Sequence, residues 1–142
     1  MATVRRKGLD TMPIGQVPAI YGDILRSRTL GHLATIGPDG RPQVNPVWFL
    51  WDGEHVSLSV KANTVKYHNL RRDPRLAISF ADPGNPHRYL EIRGEVIEFR
   101  LYRDLTFVNQ LSQKYTGRDM NPAEHGKERY RLTVRIDSWT GQ

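Results

Sequence analysis

Apolar and polar residues alternate with a period of two over most of this chain. Residues 55–61 read HVSLSVK, with Val56, Leu58 and Val60 on one side and His55, Ser57, Ser59 and Lys61 on the other, the signature of a strand with one buried face. The same alternation runs through 75–82 (Leu76, Ile78, Phe80), 88–99 and 129–137 (Tyr130, Leu132, Val134, Ile136). Residues 30–37 and 41–51 read as two further strands joined by Pro38-Asp39-Gly40, a tight turn. Asp52-Gly53 marks the next hairpin. Gly94, inside an otherwise continuous strand pattern, predicts a bulge or bend.

Three stretches change period. Val17, Ile20, Ile24 and Leu25 recur at helical spacing over 16–28, as do Leu105, Val108, Leu111 and Tyr115 over 103–115. Between them, Asn63 or Thr64 can cap a short helix that Asp73-Pro74 stops. Residues 116–128 read as loop. Six consecutive, hairpin-linked strands and three short helices predict a mainly β, antiparallel sheet, closed as a barrel so that its edges are not left open. With 142 residues and no interdomain linker, one domain is expected over 1–142, its first 15 residues a loose leader.

Composition narrows the chemistry. The chain has no cysteine, which excludes disulfides, thiolate metal sites and cysteine nucleophiles. Residues 1–15 carry charge and no apolar stretch of signal-peptide type, and no apolar run approaches the roughly 20 residues of a membrane helix. A cytoplasmic location without a membrane partner is expected. The net charge of +6, from 21 Lys+Arg against 15 Asp+Glu, suits an anionic partner and equally a solvated basic surface. The histidines (His32, His55, His68, His87, His125) show no metal-ligand spacing, and nucleophile-elbow, dinucleotide and P-loop glycine patterns are absent. The aromatics lie mainly in apolar runs, so nucleic acid is not an expected partner.

Two stretches carry candidate chemistry. Residues 59–75, SVKANTVKYHNLRRDPR, run from a strand into a helix start and bring Ser59, Lys61, Thr64 and Lys66 close in sequence. A helix N-terminus with free N–H groups, a hydroxyl and two lysines makes a phosphate seat; the same residues fit an ordinary capped helix with solvated lysines. Arg71, Arg72 and Arg75 read as a solvated helix end. In residues 41–51, Gln43 and Asn45 share a strand face, and side-by-side amides suit a flat heterocycle with alternating donors and acceptors; a solvent-facing polar strand side fits as well. Pro46 places this strand at an edge or bulge. Trp48, Phe49 and Trp51 suit a core or a dimer interface.

In order and spacing, ATIGPDGRPQVNPVWF, then K-x-x-T-x-K, then NLRRDPRLAI resemble the split β-barrel flavin-binding superfamily typified by pyridoxamine 5′-phosphate oxidase. GRPQVNPVWF with NLRRDPR is closer to its actinobacterial branch, which uses the deazaflavin coenzyme F-420. The likeness covers residues 16–100 and, more loosely, the last strand. It implies a six-stranded split barrel, dimeric, with two cofactor sites at the subunit interface. Lys61, Thr64 and Lys66 match the family's phosphate-binding positions. Gln43, Asn45, Pro46 and Val47 match the strand along the tricyclic ring. Ser59 would reach the phosphoryl-bearing chain, and Trp139 would cover the ring from the partner chain. The function implied is an F-420-dependent oxidoreductase passing a hydride to a small conjugated or planar acceptor, with Tyr67 and Tyr89 as equal candidates for a proton donor. An FMN-dependent oxidase or reductase and a non-catalytic carrier are the alternatives, ahead of a haem-binding barrel. The ending Ser138-Trp139-Thr140-Gly141-Gln142 lacks the arginine-rich motif of the vitamin B6 oxidases, which argues against that substrate.

Overall fold

The computed structural model describes residues 16–124 and 128–142; the leader expected at 1–15 and His125 lie outside the described residues. Strands β1 (Gly31–Ile36), β2 (Pro42–Val47), β3 (Phe49–Trp51), β4 (Val56–Lys61), β5 (Arg75–Asp82), β6 (Asn85–Tyr102) and β7 (Arg129–Gly141) form one sheet, with helices α1 (Gly22–Arg26), α2 (Val65–Arg72) and α3 (Thr106–Thr116). Every pairing is antiparallel. No helix among the described residues is long and apolar enough to cross a membrane.

The sheet order is β2-β1-β5-β6-β7-β4-β3. Its two edge strands are therefore consecutive pieces of one chain segment, separated only by Trp48. The sheet must curl round until its edges meet there, which is the split barrel. The sequence reading counted 41–51 as one strand and so six in all; the structure has seven. The break is forced by pairing, because this segment leaves β1 as its partner and takes up β4. The Trp48 ring stacks on Tyr115 of α3 at the break, with centroids 5.0 Å apart and planes 7° from parallel.

Two apolar layers hold this shape. Inside, Leu33, Phe49, Leu58, Ile78, Phe80, Ile92, Leu132 and Val134 are buried with Ile24 and Leu25 of α1 and with Tyr21 just before it. Each such side chain stabilises the fold by about 1.5–3 kcal/mol. Outside, α3 lays Phe107, Val108 and Leu111 on Tyr102, with Trp48 and Leu50 beside them.

Local chemistry sets the helix ends. The helix expected over 16–28 is shorter: Pro18 is extended (φ −60°, ψ 143°), a single-turn 3-10 element covers Ala19–Tyr21, and α1 follows. A residue before proline is disfavoured in the helical region, so Val17 cannot extend the helix backward. Asp104 accepts from the N–H of Thr106 (2.9 Å), so α3 begins three residues later than the periodicity suggests. It ends at Gly117 in the left-handed region (φ 75°). The expected bulge occurs at Gly94: the β6–β7 register jumps from Arg93↔Ser138 to Gly94↔Ile136, leaving Asp137 as the extra residue.

Candidate functional site

The site is built where β4 runs into α2. Val56, Leu58 and Val60 point into the core, so Ser57, Ser59 and Lys61 point outward, as the alternation required. Thr64 is the N-cap of α2: its hydroxyl accepts from the N–H of Tyr67 (3.4 Å) and donates to the carbonyl of Lys61 (2.8 Å). One side chain thus ties the helix start to the strand end. Asn63 makes the corner in the left-handed region (φ 65°). Asparagine tolerates that conformation better than most residues. The amides of Val65 and Lys66 stand at the open end of the helix.

Lys66 is pushed below the ordinary lysine range by burial and then by the positive charge of Lys61. The two ammonium groups therefore feel one another across the helix start. Among the described residues neither enters an ion pair. Two like charges held together beside a helix N-terminus make a local positive potential that an anion would relieve.

Ser59 is engaged on the outer face. Its hydroxyl lies 2.5 Å from that of Tyr102 and accepts from Arg129 (3.4 Å). Burial raises the Tyr102 phenol, against the lowering effect of its bond to Ser59. Ser59 and Lys61 share one strand face with Tyr102 and Arg129 across β7, since Lys61 pairs with Arg129 and Arg129 with Tyr102.

The four residues expected along the ring divide between two faces of β2. Gln43, Asn45 and Val47 oppose Thr35, Leu33 and Gly31 of β1 and face the side covered by α2, with Val47 buried. Pro46 faces outward with Val44, which is 58% exposed. Trp139, expected to cover the ring from the partner chain, is turned into the core of its own chain. It is 3% exposed, packed 5.9 Å from the Tyr21 ring. Simple alternation from Leu132, Val134 and Ile136 would turn position 139 outward; the extra residue Asp137 at the bulge flips the parity and sends it into the core.

Sequence reasoning missed a hydrogen-bonded chain beneath α2. Arg72 donates to the carbonyl of Ile36 (3.2 Å) and to Oδ1 of Asn69 (2.7 Å); Asn69 Nδ2 donates to Thr35 (3.0 Å); Thr35 donates to Oε1 of Gln43 (3.4 Å). Thr35 and Asn69 are 1% and 2% exposed. The available signal was small: Asn69 stands beside Leu70 in a helix with few apolar residues, and only the tertiary partner gives it a role. Arg71 is exposed at the helix end, as expected, and also lies over aromatic rings. Its guanidinium lies 4.1 Å from the Phe99 ring centre and 5.0 Å from that of Tyr130, and it donates to Tyr67 (3.3 Å). That bond lowers the Tyr67 phenol.

A separate cleft of about 370 Å³ lies on the outer sheet face over Ala34, Ile36, Pro42 and Ala77. Its rim arginines are neutralised: Arg75 by Asp73 (2.7 Å), Arg93 by Glu91 (3.0 Å). Nearby Arg135 is paired with Glu95 (2.8 Å). An apolar floor with paired charges suits packing, whereas Lys61 and Lys66, in no ion pair among the described residues, suit an anion.

Residues 17–138 match the family model of pyridoxamine 5′-phosphate oxidase. An F-420 reductase is 38% identical, with a TM-score of 0.78 over 87% of this chain and 98% of that one. A conserved hypothetical protein from Mycobacterium tuberculosis is 25% identical, with a TM-score of 0.68 over 89% of this chain and 84% of that one. General stress protein 26 of Bacillus anthracis shares the fold at 15% identity, with a TM-score of 0.61 over 86% of this chain and 92% of that one.

Proposed function

Because the chain belongs to the pyridoxamine 5′-phosphate oxidase family of split barrels, we propose that it is an oxidoreductase that binds coenzyme F-420 through its phosphate and serves a small conjugated or planar acceptor. The observation that carries this is the pair Lys61 and Lys66, in no ion pair among the described residues, at the Thr64-capped start of α2. The 38% identity to an F-420 reductase favours the deazaflavin over FMN, and FMN at the same residues is the second reading.

The residues present fit such a group. Lys61 and Lys66 would neutralise its phosphate, and the Val65 and Lys66 amides would donate to it. Thr64 holds these donors in place. Gln43 and Asn45, on the face of β2 turned toward α2, would border a flat ring there. When bound, the cofactor supplies the hydride transfer; the chain's part is to orient it, exclude water and hold the charge. The apolar outer face over Ala34 and Ala77 is where we place a second copy of the chain, giving a homodimer.

Paired fluorescence titrations with coenzyme F-420 and with FMN test the reading. Tighter F-420 binding, followed by hydride transfer to an acceptor, supports it. Tighter FMN binding moves the protein to the flavin side of the family. Tight binding without turnover on any acceptor identifies a carrier. Binding of neither removes the phosphate-seat assignment.

A further inference from the structure

Arginine can only donate hydrogen bonds, and this orients the side chains beneath α2. Arg72 Nη2 lies 2.7 Å from the Asn69 side chain, so the atom facing it must be the carbonyl oxygen. Asn69 must then turn its amide nitrogen to Thr35, which accepts (3.0 Å). The Thr35 hydroxyl, whose oxygen accepts from Asn69, gives its single proton to Gln43 Oε1 (3.4 Å). The far end of the chain is therefore the Gln43 NH2 group, on a half-buried residue of an edge strand. A lone glutamine amide can flip and present either a donor or an acceptor. Flipping this one would leave the proton of the buried Thr35 hydroxyl without its acceptor.

We infer that Gln43 is a specificity residue locked as a donor by Arg72 acting through Asn69 and Thr35, and that it selects a ligand presenting a hydrogen-bond acceptor, a ring carbonyl or imine nitrogen, along β2. This rests on the reading of β2 as the ring-binding strand. Arg72 touches no ligand; it is a positioning residue, as are Asn69 and Thr35. The relay also joins the two halves of the site, since Asn69 lies on the helix that carries Lys66.

Asn69→Asp reverses the relay. An aspartate accepts from both Arg72 and Thr35, so the Thr35 oxygen becomes the acceptor for Gln43 Nε2, and Gln43 presents its carbonyl instead. Binding of FMN is compared with that of 2-thio-FMN and 4-thio-FMN, in which one ring carbonyl is replaced by the weaker acceptor sulfur. The wild type should discriminate against one thio analogue by about fivefold, the worth of one hydrogen bond. Arg72→Lys, which still only donates, should keep that ratio. Asn69→Asp should bring it close to one while inorganic phosphate, competing at Lys61 and Lys66, binds as before. Side-chain amide exchange by NMR reads the relay without any cofactor: the Gln43 NH2 should be unprotected in the wild type and gain protection in Asn69→Asp. An unchanged thio ratio in Asn69→Asp, or an unchanged Gln43 exchange rate, overturns the inference. Failure of coenzyme F-420 and of every flavin to bind would remove the ring-strand reading, while the exchange measurement would still decide the relay.

Discussion

The ammonium of Lys114 sits 3.6 Å above the ring of Phe49 and donates to the carbonyls of Leu25 (3.2 Å) and Phe49 (3.0 Å). One lysine of α3 thus pins α1 and β3 at the point where the barrel closes. Burial brings its pKa down to about 8. The unfolded chain keeps the proton up to about 10.5, so between these values the unfolded state binds more protons and stability rises with pH. Denaturant unfolding across pH 7 to 10 should show the wild type gaining stability relative to Lys114→Met from about pH 8 upward; parallel curves would place this amine in solvent.

Asp73 carries the opposite dependence. Its side-chain bond to Arg75, then a bond from the Arg75 N–H, hold its carboxyl down to about 2. A depressed carboxylate stabilises above its unfolded pKa of about 3.9 and loses that contribution as pH falls toward the folded value. Asp73→Asn should flatten the acid limb of the stability curve between about pH 4 and 2. The group is exposed, so added salt should shrink the difference.

Replacing both Lys61 and Lys66 by alanine should weaken cofactor binding by about tenfold or more, given about 1.5–3 kcal/mol for a hydrogen bond to a charged group. The salt dependence of binding should fall with it. Unchanged affinity in a fluorescence titration would reject the phosphate seat.

Gly94→Ala tests the bulge. A Cβ at this position would collide with the carbonyl oxygen of Arg135 across the β6–β7 ladder. Backbone cannot yield as a side-chain end can, so the variant should lose about 3 kcal/mol or more of stability in chemical denaturation. A loss under 1 kcal/mol, of the size expected from ordinary surface changes, would mean the strands can part there.

What the sequence disclosed was whatever depends on neighbours along the chain. The alternation of 55–61 aimed Ser59 and Lys61 outward, and Thr64 is the helix cap the residue pattern suggested. What it hid depends on partners far away. Trp139 turns inward because of one extra residue opposite Gly94, a parity change no alternation contains. Asn69 reads as an ordinary polar helix position until Thr35 of β1 and Arg72 are placed around it. The break at Trp48 belongs to the same class, since it follows from which strand lies on each side.

The prolines of β2 have a consequence for how the protein behaves at high concentration. An open sheet edge is a template for another chain, because its outward N–H groups invite strand addition. Pro42 and Pro46 oppose Ile36 and His32, and a proline fits a paired strand only where its nitrogen faces away from the partner. Positions 42, 44 and 46 are therefore the ones aimed at solvent from this edge, and Val44 alone among them keeps a hydrogen to offer. A foreign strand laid here would find one donor where it needs three, so this edge is poorly fitted to seed fibrous association.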